Sequence, residues 1–427
     1  MRILYTIGIG FYTLGVRIAV LCGHHNAKLM VNGWSHWREA AAKLDNNRPV
    51  AWFHAASLGE FEQARPVLET YRQRHPEHQI LVTFFSPSGY EIRKNYAQAD
   101  AICYLPMDLP HNARSLVQAV KPSVVFFVKY EFWYNYLGEL KKNNIPTYIF
   151  STIFRPDQYF FKWYGGWFRK QLKNCFAHLF VQNTESLQLL QSHGISQCSI
   201  AGDTRFDRVH QIAVAAERNE IAEKFLENYE GKVLVAGSTW PPDEEILSKL
   251  RIENPELRII LAPHVINEEH LRQIETLFPN SIRYSECTNV LTRECVSDNT
   301  NTQSHNQAIK QSQTLIIDNI GLLSKLYRYA DVAYIGGGFG VGIHNILEAV
   351  TFGKPVLFGP NYHKFQEARD IIARGGGFSH NDGRQLQAHL HPLLADSKAY
   401  DKASQACLDY MNTNLGSTEK ILKTIEK

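Results

Sequence analysis

The sequence predicts an α/β protein made of two doubly wound, Rossmann-like domains facing across a cleft. Short apolar runs alternate with helical stretches along most of the chain. They lack the polar alternation of a half-exposed antiparallel sheet, so their strands belong to mostly parallel sheets covered on both faces. The alternation restarts at Val233, and 427 residues are enough for two such domains with large cores. Folds of this kind bind ligands beyond the carboxyl ends of their strands.

Taken in order, residues 1–25 form an apolar, membrane-associating segment. Ile3 to Cys22 is apolar apart from a few residues such as Thr6, Thr13 and Arg17, and Arg17 shortens the uninterrupted run below the usual spanning length. The basic residues that follow, Lys28, Arg38, Lys43 and Arg48, suit the cytoplasmic side of a membrane. A peripheral or single amino-terminal anchor is expected, with a buried first helix as the alternative. Residues 26–208 form the first domain, with predicted strands at 50–55, 80–85, 101–104, 124–128, 147–151, 178–182 and 199–202. Residues 209–397 form the second, with predicted strands at 233–236, 259–262, 282–284, 315–317, 332–335 and 356–358. Helices in 398–427 are placed to pack back on the first domain. The polar stretch 286–312 reads as a surface insertion without chemistry.

Bulk composition excludes some classes. A formal net charge of +3 is too weak to argue for nucleic acid, and no obligate protein partner is evident. The seven cysteines show no CxxC or metal-ligand spacing and read as free thiols. No histidine pattern marks a metal site. His363 and Glu367, four apart, fit a ligand pair or a simple side-chain contact equally well.

Candidate site residues cluster at predicted strand ends. In the first domain, Ser57, Gly59 and Glu60 follow the opening strand, and Glu60 fits either a general base or a helix cap. Ser86 and Ser88 follow the second strand. Lys129 and Glu131 end another, as anion-binding groups or as a local ion pair. Beyond Arg155, the run YFFKWYGGWFRKQLK interleaves aromatic rings with cations, which fits a lipid interface, ordinary core packing or a single-stranded nucleic acid. In the second domain, Gly237, Ser238 and Thr239 follow the first strand, Pro263 and His264 the next, and Asn319 and Gly321 a later one. The stretch 334–360 then predicts a strand, a glycine turn, a helix about ten residues long carrying Asn345 and Glu348, and a further strand. Such a turn fits phosphate held on backbone amides or, as the alternative, a tightly packed helix.

The motifs HAASLGE at 54–60, TFFSPSG at 83–89, YLPMDLP at 104–110, AGDTRFD at 201–207, GSTWPPDEE at 237–245 and GGGFGVGIHNILEAVTFGKPVLFGP at 336–360 together resemble the bacterial 3-deoxy-D-manno-octulosonic acid (Kdo) transferases. The resemblance covers almost the whole chain. It implies a GT-B glycosyltransferase fold and inverting transfer from CMP-Kdo, a substrate, to a lipid A precursor, without metal or cofactor. The implied location is the cytoplasmic face of the inner membrane, whose anionic surface is a partner. Carried across, Glu60 is the base, and Ser57, Gly59, Ser86, Ser88, Lys129, Glu131 and Arg155 bind the acceptor or Kdo. Gly337, Gly338, Ile343, His344 and Asn345 form the donor-phosphate turn, with Glu348 at the ribose. Gly237, Ser238, Thr239, Pro263, His264, Asn319, Gly321 and Glu367 complete the CMP site. The chain departs from the family pattern at KYEFWY (129–134), PHVI (263–266) and YHKFQE (362–367). Another nucleotide-sugar transferase acting on a lipid or glycan, or a non-catalytic binding protein, are the alternatives. A dehydrogenase is disfavoured because no GxGxxG follows the first strand.

Overall fold

Each half of the chain carries one seven-stranded, wholly parallel sheet. The computed structural model describes residues 2–288 and 307–426. It divides into unit 1, Met1–Arg208 with Asn414–Lys427, and unit 2, Val209–Thr413. Of the polar stretch 286–312, residues 289–306 lie outside the described residues, as does Cys295.

In unit 1 the strands are β1 (Val50–Ala55), β2 (Gln79–Phe84), β3 (Ala101–Tyr104), β4 (Val124–Val128), β5 (Thr147–Thr152), β6 (His178–Val181) and β7 (Cys198–Ile200). Their order is β3-β2-β1-β4-β5-β6-β7. Segments such as VAWFHA and VVFFV are rich in β-branched and aromatic residues and buried at every position, as strands covered on both faces must be. Trp52, Leu81, Val125 and Phe127 fill one face of the sheet. Ala51, Phe53, Val82 and Phe126 fill the other, where they meet Phe61, Ala64 and Leu68. The order reverses between β1 and β4, which pair directly, His54 opposite Phe127. Chains leaving such neighbours diverge to opposite faces and open a crevice at the strand ends.

The unit 1 helices used below are α1 (Arg2–Leu21), α2 (His25–Gly33), α3 (Trp37–Ala42), α4 (Leu58–Arg74), α5 (Pro87–Arg93), α6 (Pro110–Val120) and α7 (Tyr134–Lys142). No residue of α1 is buried, which sets aside the buried first helix. Its 20 residues are long and apolar enough to cross a membrane. Three of its polar residues are nevertheless tied to the unit. Arg2 Nε donates to Asn135 Oδ1 at 3.0 Å, the Tyr5 hydroxyl to Asp108 Oδ2 at 2.7 Å, and Asn135 Nδ2 to Thr6 Oγ1 at 3.4 Å. Tyr5 packs on Tyr134, and Tyr134 on Trp167, with ring centroids 5.4 and 5.1 Å apart. The aromatic-cationic run therefore adjoins α1. It folds as a 3-10 turn, Tyr159–Phe161, and a helix, Gly166–Cys175, around the buried Phe160, with Trp163 92% exposed between them.

The chain closes unit 1 with the helix Ser417–Ile425. Its Ile421 and Leu422 enter the core beside Phe53 and Phe126. Asp207 accepts the amides of Gly416 and Thr418 at 2.7 and 2.6 Å. The preceding helix, Ser397–Asn414, remains with unit 2 up to Thr413. Its Ala403 joins that core and its Cys407 thiol points to the carbonyls of Lys354 and Gly376. The chain thus returns at 414, not at 398.

Unit 2 contains β8 (Val233–Thr239), β9 (Arg258–Pro263), β10 (Ser281–Arg283), β11 (Thr314–Ile316), β12 (Val332–Ile335), β13 (Val356–Phe358) and β14 (Gly377–Ser379), in the order β10-β11-β9-β8-β12-β13-β14. Here the order reverses between β8 and β12, paired from Val332–Leu234 to Ile335–Gly237. The edge strand β14 is absent from the sequence prediction: three residues beginning with glycine carry no recognisable strand pattern.

The longest misreading lies after β12. Instead of a ten-residue helix there is an irregular loop through Asn345 and a helix of four residues, Leu347–Val350. Glycines at 336, 337, 338, 340 and 342 oppose helix formation. The Asn345 side chain also competes for the backbone, its Oδ1 accepting the Leu347 amide at 3.2 Å.

Candidate active site

Three non-glycine residues with left-handed backbone mark the carboxyl ends of the sheets: Lys129 (φ 67°) just after β4, Ser151 (φ 55°) in β5 and Ser238 (φ 54°) in β8. Strained backbone of this kind costs about 1–3 kcal/mol per residue and collects at functional sites. Lys129 and Ser238 lie at the two reversal points.

In unit 1, β1 delivers Ser57, Gly59 and Glu60 to the crevice. Ser57 is the N-cap of α4, and its hydroxyl accepts the Glu60 amide at a long 3.5 Å. Glu60 Oε2 reaches back to the Ala56 amide at 2.7 Å. The cap suggested by sequence is therefore real, and it fixes the carboxylate. It occupies one oxygen only: Oε1 has no protein partner among the described residues. Burial, and then the nearby Glu131 carboxylate, push the Glu60 pKa up to about 7, against the pull of the Ala56 amide, His54 and Lys129. A carboxyl group poised near neutrality suits proton transfer at physiological pH.

Glu131 does not pair with Lys129. Its Oε2 lies 3.0 Å from His54 Nε2 and accepts the Trp133 indole N–H at 2.5 Å. The other ring nitrogen of His54 is 2.8 Å from Thr83 Oγ1, which also accepts the Trp52 indole N–H at 2.8 Å. His54 and Thr83 are fully buried, so β1, β2 and the loop after β4 share one polar network behind Glu60. Sequence reasoning quoted His54, Thr83 and Trp133 inside motifs but gave them no role. A histidine in an otherwise apolar strand was the available signal. His54→Gln is expected to lower any turnover that depends on Glu60 by about tenfold through loss of this support, with the thermal unfolding of unit 2 unchanged. Steady-state kinetics and calorimetric unfolding check both parts.

The remaining unit 1 candidates are placed less tightly. Ser86 caps α5, accepting the Ser88 amide at 3.2 Å, and the two hydroxyls are 3.0 Å apart. Arg155 is exposed beyond β5, and its guanidinium has no ion pair among the described residues.

In unit 2, the turn after β12 rests on Asp243. This fully buried carboxylate accepts the amides of Gly337 (2.9 Å) and Trp240 (3.0 Å) and the Tyr334 hydroxyl (2.8 Å). Burial raises its pKa, against the pull of those donors. Sequence reasoning saw only an acidic helix start there. Asp243→Asn is expected to cost about 2 kcal/mol, since an amide N–H₂ must then face a donor; thermal unfolding measures it. Of the turn's own amides, those of Gly336, Gly340, Gly342 and His344 go to protein carbonyls. Those of Gly338, Phe339 and Val341 have no protein acceptor among the described residues. With so short a helix following, these amides, not a helix terminus, are the groups left to meet an anion. Beside them is a cavity of about 150 Å³ bordered by Trp240, Gly337 and Phe339.

Around this turn the candidates divide. Ser238 is half-buried at the reversal point. Thr239 is not available: its buried hydroxyl donates to Glu244 Oε1 at 2.8 Å, and Glu244 Oε2 lies 2.9 Å from His270 Nε2. Gly237 and Pro263 are buried as well. His264 is exposed and stacked between Trp240 and His344, with centroids 4.8 and 4.4 Å away. The Trp240 indole N–H donates to His344 Nε2 at 3.3 Å, and burial, then His264, lower the His344 pKa. Ile343 is buried beneath the turn. Asn345 Nδ2 donates to Glu348 Oε1 at 3.1 Å. Glu367 is buried in the first turn of the helix Gln366–Arg374, whereas His363 precedes that helix. Asn319 and Gly321 are exposed after β11, which β9 separates from β8, so they stand apart from the turn.

Two parallel-sheet units with sites at their reversal points define a GT-B glycosyltransferase fold. Solved structures agree on the fold. The UDP-GlcNAc 2-epimerase from Neisseria meningitidis bound to UDP-GlcNAc matches with a TM-score of 0.60 at 15% identity, over 88% of this chain and 99% of that one. A putative UDP-N-acetylglucosamine 2-epimerase from Listeria monocytogenes matches at 0.57 and 12%, over 89% and 96%. The sequence narrows the class. Residues 34–208 match the family described as 3-deoxy-D-manno-octulosonic-acid transferase (kdotransferase). Curated relatives named 3-deoxy-D-manno-octulosonic acid transferase include one from Aquifex aeolicus, 24% identical over 83% of this chain and 89% of the relative. Another, from Chlamydia trachomatis serovar A, is 26% identical over 88% and 86%. Over most of its length the chain is thus similar to enzymes named Kdo transferases.

Proposed function

We propose that the enzyme transfers Kdo from CMP-Kdo to a hydroxyl of a lipid A precursor, with inversion, releasing CMP and using no metal or cofactor. The observation that carries this reading is Glu60, a fixed, half-buried carboxylate with a pKa of about 7 and one oxygen uncommitted. It removes the proton from the acceptor hydroxyl as that oxygen attacks the anomeric carbon. The bond from that carbon to the CMP phosphate oxygen breaks, and CMP departs with the electron pair. The glycine turn and Ser238 hold the donor phosphate, Glu348 the ribose, and the stacked His264 lies at the donor's edge. Lys129 and Arg155 meet anionic groups of the sugar or acceptor. Thr239, Asn319 and Gly321 have no direct part in this reading.

Unit 1 works at the cytoplasmic face of the inner membrane, a reading supported by the exposed apolar α1 and by the exposed Trp163 with Lys162 and Lys170 close to it in sequence. There aromatic rings enter the interface while cations attract anionic lipid.

The test is mass analysis of the lipid after incubating the full chain with CMP-Kdo and tetraacylated lipid A precursor, with and without EDTA. Product heavier by one or more Kdo units, formed equally with EDTA, is expected. No product from folded protein that binds CMP would redirect the search to other CMP-activated sugars or acceptors.

A further inference from the structure

Unit 1 has a second polar pocket, of about 340 Å³, walled by α1, α2, α3 and the start of α6. Thr13 and Arg17, one turn apart on α1, line it together with Trp34, Arg38, His111 and Asn112. No carboxylate is among its lining residues. Neither Arg17 nor Arg38 has an ion pair among the described residues; Arg38 instead lies over the Trp37 ring, 4.8 Å from its centroid. Two arginines left without a counter-charge, one on the membrane helix itself, form a receptor for an anion that the protein does not supply. The 11-residue α6 brings its amino terminus to the pocket: its N-cap, Leu109, provides no side-chain cap and its first turn no acid, and the Asp108 carboxylate just before it is committed to Tyr5, Asn135 and Tyr136. Along α1, Phe11, Leu14, Ile18 and Leu21 are exposed and apolar.

We infer that this pocket binds the phosphate monoester headgroup of a membrane lipid, gripped by Arg17 and Arg38 while its acyl chains run along the apolar face of α1. The lipid would hold α1 and unit 1 at headgroup depth. A phosphate monoester, with its higher charge and three terminal oxygens, matches two guanidinium forks better than a phosphodiester does. This assignment is independent of the reading of Glu60 and of the donor.

The test compares flotation of the full chain with vesicles of phosphatidylcholine containing phosphatidic acid or phosphatidylglycerol, matched for surface potential. The wild type is expected to favour phosphatidic acid by about tenfold. Arg17→Gln/Arg38→Gln should abolish the preference, whereas Lys162→Gln/Lys170→Gln should weaken binding to both vesicles alike and keep it. Equal wild-type binding to both vesicles, or a preference surviving in the arginine variant, would overturn the assignment. Far-UV circular dichroism of each variant establishes that it is folded. Thermal protection by inorganic phosphate equal to that by a short-chain lipid phosphate would reassign the pocket to free phosphate.

Discussion

Glu60→Gln lowers the turnover of Kdo transfer by about a thousandfold and leaves CMP binding unchanged. The amide is isosteric, and its carbonyl oxygen still accepts the Ala56 amide, so the cap of α4 survives and the variant folds. Only the proton acceptor is lost, and a positioned general base contributes about 10²–10⁴-fold. Glu60→Ala also removes the cap and should cost about 1 kcal/mol of stability on top. The pH profile supplies the second signature. A carboxyl raised to about 7 is protonated and idle below that pH, so kcat/KM for the wild type rises through about 7 and levels off above it. Because the Glu131 carboxylate helps to raise that pKa, Glu131→Gln should move the rising limb to lower pH. A Glu60→Gln enzyme within tenfold of wild type, or a limb unmoved in Glu131→Gln, would show that the carboxylate acts only as a cap.

Gly338→Ala destroys the glycine turn. A Cβ there would lie 2.5 Å from the Gly359 nitrogen and 2.6 Å from its Cα, and a Cβ on Gly359 would meet Gly338 C at 2.7 Å. Both obstacles are backbone and neither can swing aside, so β12 and the chain leaving β13 must separate. Overpacking of this kind is expected to cost about 3 kcal/mol or more in unit 2 and to abolish CMP binding. Gly340→Ala is the control: its Cβ would meet only the Gly337 oxygen, at 3.9 Å, and it should stay within about 1 kcal/mol. Thermal unfolding and CMP calorimetry read both variants. A Gly338→Ala protein that unfolds at the wild-type temperature and binds CMP would refute the close approach.

What sequence made legible was whatever depends on continuous local pattern. All seven strands of unit 1 are apolar runs bounded by turn residues, and the reversal-point residues Glu60, Lys129, Ser238 and Gly337 follow from knowing where such strands end. What depends on tertiary partners was not legible. Whether Thr239 faces a ligand or Glu244, and whether Glu131 turns to Lys129 or to His54, is decided by elements distant in sequence. The short helix after the glycine turn was overestimated because an apolar spacing through Ile346, Leu347 and Val350 resembles a longer helix, while Asn345 and five glycines act against its start. Asp243, which supports that turn from the first turn of the helix after β8, gave no sign beyond its place in an acidic helix start.

The return of the last helix to unit 1 bears on how the enzyme is made. Residues 209–413 are continuous and can fold as soon as they leave the ribosome. Unit 1 begins first but must wait for Ile421 and Leu422 before its sheet is covered. During synthesis the amino-terminal half therefore stays incomplete longest, with apolar surface near Phe53 and Phe126 open to chaperones or to misassembly. A nascent chain stopped just before Asn414 would carry a finished unit 2 and an unfinished unit 1, and loss of the carboxyl-terminal helix would be felt first at the opposite end of the sequence.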